Sequence, residues 1–296
     1  MLNYIIWNAN PDLFSGFVTV RWYGLMFAIG FLIGYEIVYR IFKREGCRES
    51  WVGQLLIYTI IATVIGARLG HVLFYGWAYY KDHLLEIFKV WHGGLASHGG
   101  TVGIIIAIYF YSRSVTHRPM LWTFDRLVVP VGLVGALIRI GNLMNSEIFG
   151  GATMLPWGMK FIRSEDWWEM YCPDGILEHG AACHPTQLYE ALCYLLLFGI
   201  CLWMYWRKNC AERQGLIFGV FLLGIFVPRF VIEYVKNVQE PWELALRASC
   251  GMDMGQVLSI PFVVAGVWLV VRAMCRKRVA IDYPNHFAPE PVSSKK

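Results

Sequence analysis

Long uninterrupted apolar runs alternate along the chain with short polar connections. Seven runs reach the roughly 20 residues that a helix needs to cross a bilayer: Trp22 to Phe42, Trp51 to Leu73, Gly93 to Tyr111, Leu121 to Met144, Pro185 to Trp206, Gly215 to Tyr234 and Met254 to Met274. The pattern predicts an all-α polytopic membrane protein with seven transmembrane helices over residues 1–274. The one long loop, residues 145–184 between the fourth and fifth helices, is expected to form a small head, and residues 275–296 a basic tail. Met1 to Val20 has no basic start and no small-residue cleavage site, so it reads as a surface-lying segment and not as a signal peptide.

Composition agrees with this. Apolar residues make up 57% of the 296, charged residues only 16%, and the mean hydropathy is +0.46, outside the range of soluble domains. Charge then gives orientation. Of 26 Lys and Arg, fifteen fall in the connections after the first, third and fifth helices and in the tail, against six on the opposite side. The positive-inside rule therefore puts the N-terminus outside and the C-terminus in the cytoplasm. The stretch Arg272 to Arg278 reads as a topology anchor with affinity for anionic lipid, and no nucleic-acid partner is expected.

With that orientation, the unusual polar residues share one depth. Arg21 and Tyr23 begin helix 1, Arg68 and His71 end helix 2, and His98 begins helix 3. Arg139 and Asn142 end helix 4, Gln187, Tyr189 and Glu190 begin helix 5, and Arg229 and Glu233 end helix 6. A cation at membrane depth costs several kcal/mol unless it is paired, hydrated or holding an anion. Their concentration in the outer half predicts one polar cavity opening outward. Arg139, Asn142 and Ser146 are spaced i, i+3, i+7, and Arg229 and Glu233 i, i+4, so each set is expected to share a helix face, with Glu233 orienting Arg229. Pro228 is expected to kink its helix, and the glycines of Gly93 to Gly103 to allow close approach around His98.

Blander roles are expected elsewhere. Glu190 and Glu36 read as charge partners or helix-packing polar groups, and Asp125 with Arg126 as an interfacial pair. Cys172 and Cys183, or either with Cys250, offer a disulfide that an oxidising compartment would allow. No cysteine set has metal-ligand spacing, and no nucleotide-binding or common hydrolase motif occurs. Outward-half arginines also suit an anion or phospholipid transporter, but no internal repeat supports one.

Five ordered blocks narrow the choice: Arg21-Trp-Tyr-Gly-Leu25, Gly93-Gly-Leu-Ala-Ser-His-Gly-Gly100, Arg139-Ile-Gly-Asn-Leu-Met-Asn-Ser-Glu147, His184-Pro-Thr-Gln-Leu-Tyr-Glu190 and Arg229-Phe-Val-Ile-Glu233. From about Arg21 to Gly266 the chain resembles the bacterial prolipoprotein diacylglyceryl transferases. The resemblance implies a multi-pass inner-membrane enzyme with a periplasmic head. Such an enzyme moves the diacylglyceryl group of phosphatidylglycerol onto the lipobox cysteine of a preprolipoprotein, forms a thioether and releases glycerol phosphate. Carried over by position, the essential histidine falls on His98 and the phosphate-binding arginines on Arg139 and Arg229. Tyr23, Asn142, Glu147, Gly150 and Glu233 fall on the remaining substrate-binding positions. The chain departs from the family at Ile138 and Ser146, where glycine is frequent, at Ile225, where an aromatic is usual, and in the segment after Glu233. No metal or cofactor is implied: a thiol of pKa near 8.5 needs a base, for which His98 is the candidate, and the departing phosphate needs cations.

Overall fold

The computed structural model describes residues 4–14, 19–89, 94, 96–237, 249 and 251–290. The fold is mostly helical, and six of its helices are long and apolar enough to cross a membrane. They are α1 (Trp22–Arg44), α2 (Glu49–Phe74), α4 (Met120–Met144), α6 (Thr186–Trp206), α7 (Leu216–Ile232, extended by a tight turn to Val235) and α8 (Met254–Cys275). The expected span from Gly93 falls short of that length. Its helix, α3 (Ser97–Tyr111), has only 15 residues, about 22 Å at the helical rise. Gly94 at φ +70° breaks the run before Ser97, and a π-turn over Ser112–Thr116 prolongs it at the other end.

The chain divides into two compact units, one of Met1–Glu36 with Val128–Val279 and one of Ile37–Leu127 with Ala280–Lys296. In the first, membrane helices meet at small residues. A Cβ on Gly132 of α4 would lie 2.9 Å from the Tyr194 carbonyl oxygen of α6, so only glycine permits that approach. Phe226 of α7 and Phe262 of α8 stack with centroids 4.2 Å apart.

The loop after α4 has a core of its own. Strand β4 (Met159–Phe161) and helix α5 (Glu165–Tyr171) bury Phe149, Phe161, Trp167, Cys172 and Cys183. The N-terminal segment belongs to this structure. Its strand β1 (Ile5–Trp7) pairs in parallel with β4, and Trp7 Nε1 donates to the Leu143 carbonyl, 2.9 Å. Strands β2 (Asp12–Phe14) and β3 (Val20–Arg21) form a separate antiparallel pair that leads into α1.

In the second unit, α2 and α3 pack along glycines, and a Cβ on Gly70 would lie 2.7 Å from Gly99 Cα. Arg126 is fully buried, and its partner is Glu45, whose carboxylate it grips through Nε and Nη2 at 2.9–3.1 Å, while Nη1 donates to the Trp122 carbonyl. In place of the expected interfacial pair with Asp125, Arg126 forms a buried fork with Glu45, which the α1–α2 turn brings over its end of α4. The tail is more than an anchor. Arg276, Lys277 and Arg278 are exposed, but beyond them the chain lies on the α1–α2 turn. Ala288 N donates to the Cys47 carbonyl, 3.0 Å, Ser50 N donates to Glu290 Oε1, 3.1 Å, and Arg44 stacks over Tyr283 at 4.2 Å.

Removing one member of a buried ion pair strands the other in a low dielectric. Glu45→Ala is expected to destabilise the protein by about 3–5 kcal/mol, read as a lowered thermal unfolding midpoint in detergent; an unchanged midpoint would refute this role of the pair.

Candidate functional site

The polar groups of the first unit gather where α4 ends. Arg139 and Asn142 stand one turn apart, and Arg139 Nη1 donates to Asn142 Oδ1 at 3.3 Å, as their i, i+3 spacing predicts. Ser146 does not share that face. The helix stops at Met144, and Ser146 sits in a left-handed turn with φ +56°. Ile148 follows at φ +63°, a conformation that a β-branched residue adopts only under strain from its surroundings. That turn folds Glu147 back so that Asn142 Nδ2 donates to Glu147 Oε1, 2.6 Å. The start of α6 holds it there: Gln187 Nε2 donates to the Glu147 carbonyl at 2.6 Å and Thr186 Oγ1 to that of Ile148 at 2.8 Å. Tyr23 of α1 packs on Gly141, where a Cβ would lie 3.0 Å from Tyr23 Cα.

Glu190 of α6 is the counter-ion of Arg139, in accord with its reading as a charge partner. The carboxylate is 2% exposed, its Oε2 pairs with Arg139 Nε, and Tyr194 Oη donates to it at 3.3 Å. Arg229 of α7 is close enough to Tyr194 for its charge to act there, as Arg139 is. The expected Arg229–Glu233 pair does not form. Glu233 turns instead toward Gly255 of α8, filling the space a Cβ there would need, and toward Lys236, 3.9 Å away. Among the described residues Arg229 has neither an ion pair nor a side-chain hydrogen bond.

Gly150 completes the rim. Its N–H donates to the His184 carbonyl, 2.8 Å, its backbone bridges to Lys236, and a Cβ would lie 2.9 Å from that of His184. Beside it is a cavity of about 370 Å³ lined by Gly151, Ala152, His184, Tyr234, Val235, Lys236 and Asn237.

The remaining polar residues stand on other elements. Arg21 is largely exposed and pairs with Asp12 at 3.4 Å. His98 belongs to the second unit and occupies the first turn of α3, its ring against Phe74 and Tyr75 with centroids 5.2 and 5.7 Å away. It lines an apolar groove of about 820 Å³ between α2 and α3. Arg68 in that unit is 4% exposed and donates to the carbonyls of Ile87, Glu86 and Gly94, so its guanidinium braces the connection after α2. His71 stacks on Tyr75.

Comparison with known proteins identifies the family. Residues 11–272 match the family described as prolipoprotein diacylglyceryl transferase. The chain belongs to that family. A relative from Porphyromonas gingivalis, named phosphatidylglycerol–prolipoprotein diacylglyceryl transferase, is 53% identical over 274 residues, 92% of this chain and 95% of its own. Relatives of the same name from Chloroherpeton thalassium and Tolumonas auensis are each 42% identical, over 92% and 90% of this chain and 95% and 96% of their own.

Within this transferase the main residue that sequence reasoning missed is Lys236, one of the six cations on the side opposite the basic connections. It is 8% exposed and 3.6 Å from Glu190 Oε1. Its place three residues after Glu233 and seven after Arg229 was the available signal. Burial lowers its ammonium pKa, and Glu190 and Glu233 oppose that shift. Among the described residues no group of three or more His, Cys, Asp or Glu side chains could hold a metal ion.

The proposed disulfide is absent: Cys172 and Cys183 are free, buried thiols of the head core, and Cys250 lies outside the described residues. Burial pushes the Cys183 thiol up to about 12. Its neutral form therefore adds stability that is complete below about pH 8.5 and is lost as pH climbs toward 12. Iodoacetamide at pH 8.5 is expected to spare Cys183 in the folded protein and label it after denaturation, as read by mass mapping; rapid labelling of the native thiol would contradict this.

Proposed function

We propose that this chain transfers the diacylglyceryl group of phosphatidylglycerol to the lipobox cysteine of preprolipoproteins, the first step of bacterial lipoprotein maturation. Family membership supports the reaction, and one geometric observation supports the site. Arg229, in a membrane-spanning helix, lacks a carboxylate partner among the described residues, although it sits near the paired Arg139. A guanidinium in that setting calls for an anion, and the phosphate of a lipid head group is one that the bilayer itself delivers.

In this reading His98 takes the proton of the incoming thiol. The thiolate attacks the glyceryl carbon that carries the phosphate ester, a C–S bond forms as the C–O bond breaks, and glycerol phosphate leaves with the electron pair. Arg139 and Arg229 hold the phosphate and stabilise the charge that grows on it. Tyr23, Asn142, Glu147, Gly150 and Glu233 shape the head-group pocket around them. Residues 1–274 act as one catalytic domain in which α3 and its π-turn make a seventh crossing. The protein lies in the bacterial inner membrane with its N-terminus and the 145–184 head in the periplasm and the 275–296 tail in the cytoplasm.

The test is incubation of the purified protein with a lipobox peptide in phosphatidylglycerol vesicles. The expected products are a diacylglyceryl thioether on the cysteine and free glycerol phosphate, both seen by mass spectrometry. Arg229→Ala and Arg139→Ala are each expected to lower turnover about 100-fold or more, and His98→Gln to abolish it near neutral pH. Native protein that moves lipid across the membrane without modifying the peptide would overturn the reading, and full turnover by Arg229→Ala would overturn the phosphate clamp.

A further inference from the structure

The charge cluster holds Arg139, Arg229 and Lys236 against the carboxylates of Glu190 and Glu233. These charges are not shared evenly. Glu190 divides its oxygens, Oε2 to Arg139 and Oε1 toward Lys236 at 3.6 Å. Glu233 stands four residues after Arg229, a spacing that ordinarily closes into an ion pair on one helix face. Here that pair is open, since the carboxylate lies in the gap left by Gly255 with Oε2 3.9 Å from the Lys236 ammonium.

Backbone pairing fixes where Lys236 points. It bridges Gly150, and Gly151 N donates to the Val235 carbonyl at 2.8 Å, so the strand-like exit from α7 is tied to the loop after α4. The side chain is thereby held inward with 5% exposure. A lysine in this position draws off the carboxylate whose i, i+4 spacing would place it on Arg229.

We propose that Lys236 is a positioning residue of the anion site: by serving as counter-ion to Glu190 and Glu233 it keeps Glu233 off Arg229 and leaves that guanidinium open to the phosphate of the lipid. The inference rests on the reading of function above. Removing the ammonium lets Glu233 swing onto Arg229, and the carboxylate then competes with the lipid phosphate. Catalysis of bound substrate is affected less than binding, because Lys236 does not touch the reacting atoms.

The experiment uses the full chain in phosphatidylglycerol nanodiscs with a lipobox peptide, and measures glycerol phosphate binding by calorimetry in parallel. Lys236→Met is expected to raise the KM for phosphatidylglycerol and the Kd for glycerol phosphate about tenfold or more, with peptide KM unchanged and kcat lowered less. Lys236→Arg is expected to stay within about threefold of native. Adding Glu233→Gln to Lys236→Met is expected to regain part of the glycerol phosphate affinity, since the competing carboxylate is gone. An unchanged KM in Lys236→Met overturns the inference, and so does a double variant that binds no better than Lys236→Met. Should Lys236→Met not fold, Lys236→Gln carries the same comparison. Native protein that binds glycerol phosphate but makes no thioether defeats the proposed reaction and not this inference; native protein that binds none defeats both.

Discussion

A guanidinium within a helix built to cross a membrane has to be met by an opposite charge, and the Arg139–Glu190 pair is where this protein meets that constraint. Glu190 comes from the first turns of α6 and Arg139 from the last turns of α4. Their attraction therefore sets how the two helices register against each other. Gly132, two turns earlier on the same face of α4, lets the backbones come close enough for the pair to close. Replacing either charge leaves the other in surroundings that raise its cost by several kcal/mol.

Around that pair the rest of the site is second-order geometry. The left-handed turn at Ser146 and Ile148 sends Glu147 back over Asn142, and two side chains from the start of α6 fasten the turn by its carbonyls. The core of the loop after α4 and strand β1 then hold the far side of the turn, with Trp7 donating to the Leu143 carbonyl at the C-terminal end of α4. Strain in the turn is sustained because several independent contacts over-determine it. The result is a rigid rim made by segments that are distant in sequence.

The long helices and the contacts within one helix turn were legible in the sequence because hydrophobic period and membrane depth act locally. The six longer spans follow their apolar runs closely, the Arg139–Asn142 contact follows from spacing, and Glu190 follows from the cost of a lone cation. Contacts made across the chain were not legible. Spacing predicted Arg229 with Glu233, but Lys236 and the absent side chain of Gly255 redirect the carboxylate. Arg126 found Glu45, 81 residues away, in place of its neighbour, and Arg68 went to carbonyls of a connection whose path no periodicity encodes. The third apolar run looked long enough by composition, yet a left-handed glycine shortened its helix.

The docking of the tail on the α1–α2 turn carries a consequence for biogenesis. Ser50 leaves the ribosome 240 residues before Glu290, whose side-chain carboxylate it meets, and Cys47 leaves well before its backbone partner Ala288. The turn between α1 and α2 therefore stays uncovered until the intervening chain has been made. Its finished form is a late step, available to any factor that recognises an incomplete chain.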